Sequence, residues 1–74
     1  MTLIPFMLHL EDGTRYIFQS AYPNLMELLD LFANCQPDEM VIFHKAHLYP
    51  SYDEPIDFAI KYKHVKAITA IREN

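Results

Sequence analysis

Asn24-Leu-Met-Glu-Leu-Leu-Asp-Leu-Phe-Ala-Asn-Cys35 is the stretch with a clear helical reading, and the rest of the chain has to be arranged around it. Asn24 is a good N-cap, because its side-chain oxygen can accept an unpaired N–H of the first turn. Glu27 stands three residues on, in capping-box position, and its charge suits the positive end of the helix dipole. Pro37 closes the segment, since the residue before a proline avoids helical backbone. At about 100° per residue, Glu27, Asp30 and Asn34 fall on one narrow stripe. Leu25, Met26, Leu28, Leu29, Leu31, Phe32, Ala33 and Cys35 fill the remainder. An ordinary surface helix has an apolar stripe only somewhat wider than about 100°. One flat sheet cannot cover this helix, so the sheet curls around it, or a loop or another subunit covers one flank; the curled sheet is the expectation. Met26 and Leu31 border the polar stripe and are the residues expected to face a partner.

Upstream, residues 3–10 read as a strand, and residues 14–20 return as a second. Between them Asp12-Gly13 is the pair favoured in a two-residue type I′ turn, which needs positive φ at both positions. That register sets Leu8 opposite Ile17 and Met7 opposite Phe18. One face then carries Ile4, Phe6, Leu8, Leu10 and Ile17, and the other Met7, His9, Tyr16 and Phe18. Both faces are apolar, and one helix covers only one of them. Met7, Tyr16 and Phe18 are therefore expected at an interface. Pro5 lacks an N–H, which places the start of the first strand on an edge.

Downstream, residues 36–39 form a loop and the apolar run 40–43 a short buried strand. Residues 44–49 either continue that strand or fold back on it. Two prolines bracket the loop 50–55. Residues 56–60 alternate, with Ile56, Phe58 and Ile60 inward. Residues 61–64 turn. Residues 65–71 fit a strand by β-branched content and a short connection, and a C-terminal helix by three-residue spacing. The expected fold is a single α+β domain over residues 1–74, a small mostly antiparallel sheet with one helix packed on it. Its order is ββαβββ, or ββαββα if the last element is helical. No motif narrows this order to one family.

Seventy-four residues are enough for one domain with a thin core, and association is a common remedy for a thin core. An apolar fraction of 51% against 22% charged residues excludes disorder. No run approaches the ~20 apolar residues of a membrane helix. No basic residue precedes the N-terminal apolar run, which argues against a signal peptide. Cys35 is the single cysteine, which excludes an intrachain disulfide and points to a reducing, cytoplasmic setting. The net charge is −4, unevenly spread. Residues 1–39 hold six acids against Arg15, and residues 40–74 hold four acids against five bases.

The chemistry-bearing residues do not assemble into a catalytic pattern. Ser20 and Ser51 lack a nucleophile-elbow context. Gly13 is the only glycine, so there is no phosphate-binding loop. The acid pairs 11–12, 38–39 and 53–54 are solvated loop neighbours. His44 and His47 form H-x-x-H, two short of a closed zinc site and one short of a catalytic one. The chain is read as non-enzymatic, with no cofactor and no metal.

Two binding classes remain. The first is a protein-binding or regulatory module that self-associates, with Met7, Tyr16, Phe18, Met26 and Leu31 in contact surfaces. The loop tyrosines Tyr49 and Tyr52 add to it, since exposed tyrosine is common in recognition. The second is a nucleic-acid or anion-binding module using Lys61, Tyr62, Lys63, Lys66 and Arg72. The acidic balance opposes the second, and solvated lysines that guard a sheet edge explain the same cluster. An acidic decoy that occupies a basic site through Glu27, Asp30, Asp38 and Glu39 is a variant of the first.

Overall fold

The computed structural model describes residues 2–51 and 53–71. The elements are β1 (Ile4–Leu10), β2 (Arg15–Ser20), α1 (Leu25–Phe32), β3 (Met40–Leu48), β4 (Ile56–Lys61) and β5 (Val65–Ala70), with a 3-10 turn at Tyr62–His64 before β5. This is the order ββαβββ, and its last element is a strand. Every pairing is antiparallel, in the spatial order β4-β3-β2-β1-β5.

The β1–β2 register differs by one residue from the two-residue hairpin. Gly13 N–H donates to the Leu10 carbonyl at 3.0 Å, and Leu10 N–H donates to the Thr14 carbonyl at 2.9 Å. The loop is therefore Glu11, Asp12 and Gly13, a tight turn followed by Gly13 at φ 91°. This is the three-residue hairpin that ends in a glycine bulge. Its cause is local: Asp12 Oδ1 accepts the Thr14 N–H at 2.9 Å, the donor a two-residue loop would need. Phe6 now pairs with Phe18, Leu8 with Tyr16 and Met7 with Ile17. A shift of one residue turns a whole strand over. Tyr16 and Phe18 join Phe6 and Leu8 on the core face, and Ile17 joins Met7 and His9 outside. The hairpin with two apolar faces is thereby corrected, and Phe18 is buried in the core.

β1 as a whole lies between β2 and β5, but its first residues, Ile4 and Pro5, run past the last β5 pair. Pro5 is tolerated because the last β5 pair is Phe6 with Ala70, so its missing N–H falls beyond that ladder.

The sheet is strongly curled. β4 and β5 are its opposite edges, yet only the turn Tyr62–His64 joins them. Four interstrand gaps in a flat sheet span about 19 Å. The chain from Lys61 to Val65 reaches at most about 14 Å. Curling resolves the mismatch. It brings Tyr16 of β2 and Phe58 of β4 to 5.0 Å between ring centroids across β3. It also sets Leu10 and Ile60 on one small cleft. Glu11 N–H donates to the His64 carbonyl, Tyr62 N–H to that of Glu39, and Lys63 N–H to that of Pro37. The connecting turn is thus tied to the hairpin tip and to the loop before β3.

The concave side holds an aromatic core. Phe43 contacts Phe18, Phe58 and Phe32 at ring-centroid distances of 4.9, 5.8 and 6.2 Å. Phe6, Leu8, Val41, Ala46 and Ile68 complete the sheet's share, and Leu28 and Phe32 that of α1. Asn24 caps α1 by accepting the Glu27 N–H at 2.9 Å. The helix ends at Phe32, several residues before Pro37. The sheet does not wrap it: Leu28 and Phe32 are buried, whereas Met26, Leu29 and Leu31 are exposed. The curl serves the strands' own core and leaves the far side of α1 bare.

Candidate protein-binding surface

β3 carries the local irregularity that shapes the surface. Between Ile17 and Gln19 of β2 lies one residue, but between His47 and His44 of β3 lie two. The same excess appears against β4. Lys45 is the extra residue, at φ 51°, in the left-handed region that residues other than glycine seldom adopt. Its N–H donates to Asp57 Oδ1 at 2.9 Å. His44 Nδ1 lies 3.6 Å from the same oxygen. The Lys45 N–H, and after it the nearby His44, hold the Asp57 carboxyl below the usual carboxylate range. Residues 44–49 thus continue the strand through a bulge instead of folding back.

Beside this bulge, α1 and the β2–β3 strands enclose an open groove of about 490 Å³. Leu28, Leu31 and Phe32 form one wall, and Phe18, Ile42 and Phe43 the other. Leu3 and Tyr22 close one end, while His44, Lys45 and Asp57 bring polar groups to the lining. Leu31 is 53% exposed and Ile42 61%, so the groove opens onto apolar rims. Met26 at 74% and Met40 at 58% extend apolar exposure along α1 and β3. Single exposed apolar residues are ordinary, but several sharing one concavity mark a contact surface.

Met26 and Leu31 stand where the sequence reading put them, on the bare side of α1. Met7 lies on the convex face, half-buried beside Ile17 and Thr69. Tyr16 and Phe18 are drawn inward by the hairpin register, Phe18 as a wall of the groove. Tyr49 is exposed and pinned: its N–H donates to the Arg15 carbonyl at 2.9 Å, and the Arg15 guanidinium lies 4.9 Å from its ring centroid. Tyr52 and Arg72 lie outside the described residues.

The basic cluster is dispersed. Lys61 and Lys63 both reach Asp38 Oδ1, at 3.9 and 3.5 Å. Tyr62 turns inward and stacks on Phe32 at 5.9 Å. Lys66 stands apart on β5, beside a shallow cleft against α1. Burial pushes the Cys35 thiol up, and the Glu39 carboxylate adds to the effect, so the thiol is held away from its reactive form. Among the described residues no three His, Cys, Asp or Glu side chains gather as metal ligands do. Among the described residues no helix is long and apolar enough to cross a membrane.

Sequence reasoning missed Ile42 and Met40. The run 40–43 reads as uniformly buried, yet Val41 and Phe43 point inward and Met40 and Ile42 outward. Met40 pairs with Lys61 and Ile42 with Ala59. A charged or small partner on an edge strand leaves the apolar residue opposite it uncovered.

No protein-family model, no curated protein and no solved structure matches this chain.

Proposed function

We propose that this protein is a non-enzymatic protein-binding module, and that the groove between α1 and β2–β3 receives apolar side chains of a partner polypeptide. The observation that supports this reading is one concavity whose lining includes the exposed residues Leu3, Tyr22, Leu31 and Ile42. The groove is open to solvent and lined mainly by apolar residues, which suits the side chains of a protein. His44, Lys45 and Asp57 supply hydrogen-bonding groups beside it. Self-association belongs to the same reading, because a short chain with this much apolar surface gains stability by covering it. The nucleic-acid reading has no comparable support, since Asp38 already sits against Lys61 and Lys63.

Affinity capture from an extract of the source cells tests the groove. The full chain is compared with Leu31→Glu and with Ile42→Lys, each verified as folded by circular dichroism. The expected result is a protein retained by the parent chain and lost, by tenfold or more, on both variants. One unpaired charge buried at a contact costs well over the ~1.4 kcal/mol that tenfold represents. Equal retention on all three chains would remove the groove from the proposal.

A further inference from the structure

The helix wall of the groove ends in acids. Leu28 and Leu31 form that wall. At about 100° per residue, Glu27 lies about 40° beyond Leu31, and Asp30 about 60° beyond Glu27. Leu31, Glu27 and Asp30 are all exposed. The rim is therefore a leucine followed by two carboxylates. Among the described residues no base forms an ion pair with either acid: the pairs of Lys61, Lys63 and His44 go to Asp38 and Asp57. α1 itself holds no base.

The two acids differ in what they do for the helix. Glu27 is in the first turn, where the dipole favours an anion. Asp30 is in the last turn, where the dipole opposes one, and no base there offsets it. Helix chemistry accounts for Glu27 and not for Asp30. A local rule broken without compensation inside the chain marks a functional surface. The opposite wall is balanced within itself, since His44 and Lys45 both act on the Asp57 carboxylate. The uncompensated charge at the groove is that of Glu27 and Asp30.

The fold also limits the form of the occupant. β2 and β3 are interior strands, paired on both sides. A partner cannot add a strand here and must bring side chains alone. α1 is eight residues long, about 12 Å, which a helix with apolar residues spaced by three and four can match. The α1 of a second copy does not fit. It would set Glu27 and Asp30 against their own counterparts, with no base on either helix.

We infer that the partner is a basic amphipathic helix of another protein, with its apolar residues in the groove beside Leu31 and its Lys or Arg side chains against Glu27 and Asp30. This rests on the protein-binding reading above and names the chemistry of the partner.

The test is isothermal titration calorimetry of the full chain with two synthetic helical peptides. Both carry leucine at three-and-four spacing, and the polar positions are all lysine in one and all glutamate in the other. The lysine peptide is expected to bind at least about tenfold more tightly, as a match against a clash of charge. Glu27→Gln with Asp30→Asn should weaken it about fivefold at low salt, a gap that narrows as salt rises. Asp53→Asn with Glu54→Gln removes the same charge from the loop before β4 and should change binding less than about twofold. Leu31→Gln removes the apolar contact without adding an acid and should abolish binding. Asp30→Lys should weaken the lysine peptide while α1 stays folded by circular dichroism, because a base suits the last turn.

Equal affinity for the two peptides overturns the inference. So does a loss on neutralising Asp53 and Glu54 as large as that on neutralising Glu27 and Asp30. A dimer in light scattering that Leu31→Gln dissociates would place a second copy in the groove and overturn it too. Capture from extract that depends on Leu31 and Ile42, with no preference for the lysine peptide, keeps the groove and removes only the basic partner. Lysine-peptide binding indifferent to Leu31→Gln removes both.

Discussion

Lys45 is where single-residue chemistry governs the surface. An extra residue in β3 releases one N–H from the ladder, and Asp57 accepts it. The carboxylate takes up the donor that the bulge frees, so the two support each other. Nothing in His44-Lys-Ala-His47 announces this. Lysine is a poor residue for positive φ, and its acceptor is supplied from twelve residues away. The bond has a pH signature. Asp57 is depressed from its ordinary value of 3.8, so its charged form is favoured by folding. Its contribution to stability is fully present above that ordinary value and is lost as pH falls through the lower folded value. Asp57→Asn keeps an acceptor and removes the charge. The stability difference between the two proteins, from urea unfolding midpoints at a series of pH values, should be constant from neutrality down to about pH 5 and then shrink as the pH falls further. A difference that does not change with pH would show that the charge contributes nothing.

At the scale of elements, the start of α1 and the hairpin show how far local chemistry reaches. Asn24 was readable as a cap because capping needs only one side-chain oxygen and the N–H three residues on. The bond to Glu27 is present at 2.9 Å. Asn24→Ala should cost about 1 kcal/mol, seen as a lower urea midpoint with an unchanged slope. An unchanged midpoint would mean that packing of Leu28 and Phe32 alone holds the helix. The Asp12-Gly13 pair located the hairpin correctly but not its loop length. Two- and three-residue loops both want glycine at a positive φ, and they differ only in whether Asp12 takes the Thr14 N–H. That one bond decides the face of every residue in β2. It is why Tyr16 and Phe18 stand on the core side of the sheet and not on its outer face.

At the scale of the whole molecule, the controlling fact is that β4 and β5 are far apart in strand order and close in sequence. A three-residue turn forces the curl, and the curl gathers rings from β2, β3, β4 and α1 around Phe43. Phe43 is 1% exposed, the hub of this arrangement. Phe43→Ala should cost about 3–5 kcal/mol. A domain of this length has about 4–11 kcal/mol in all. The variant should therefore lose most of its cooperative unfolding transition, measured by denaturant titration. A cost under about 1 kcal/mol would show that the surrounding rings close over the gap.

The kinds and order of the elements were legible in the sequence, because periodicity, β-branched content, caps and turn residues act over a few positions. So was the exposure of Met26 and Leu31, which follows from the width of the apolar stripe on α1. The hairpin register, the bulge at Lys45 and the exposure of Met40 and Ile42 were settled only in three dimensions. Each depends on which distant backbone group or side chain arrives opposite, and closure of the curled sheet determines that.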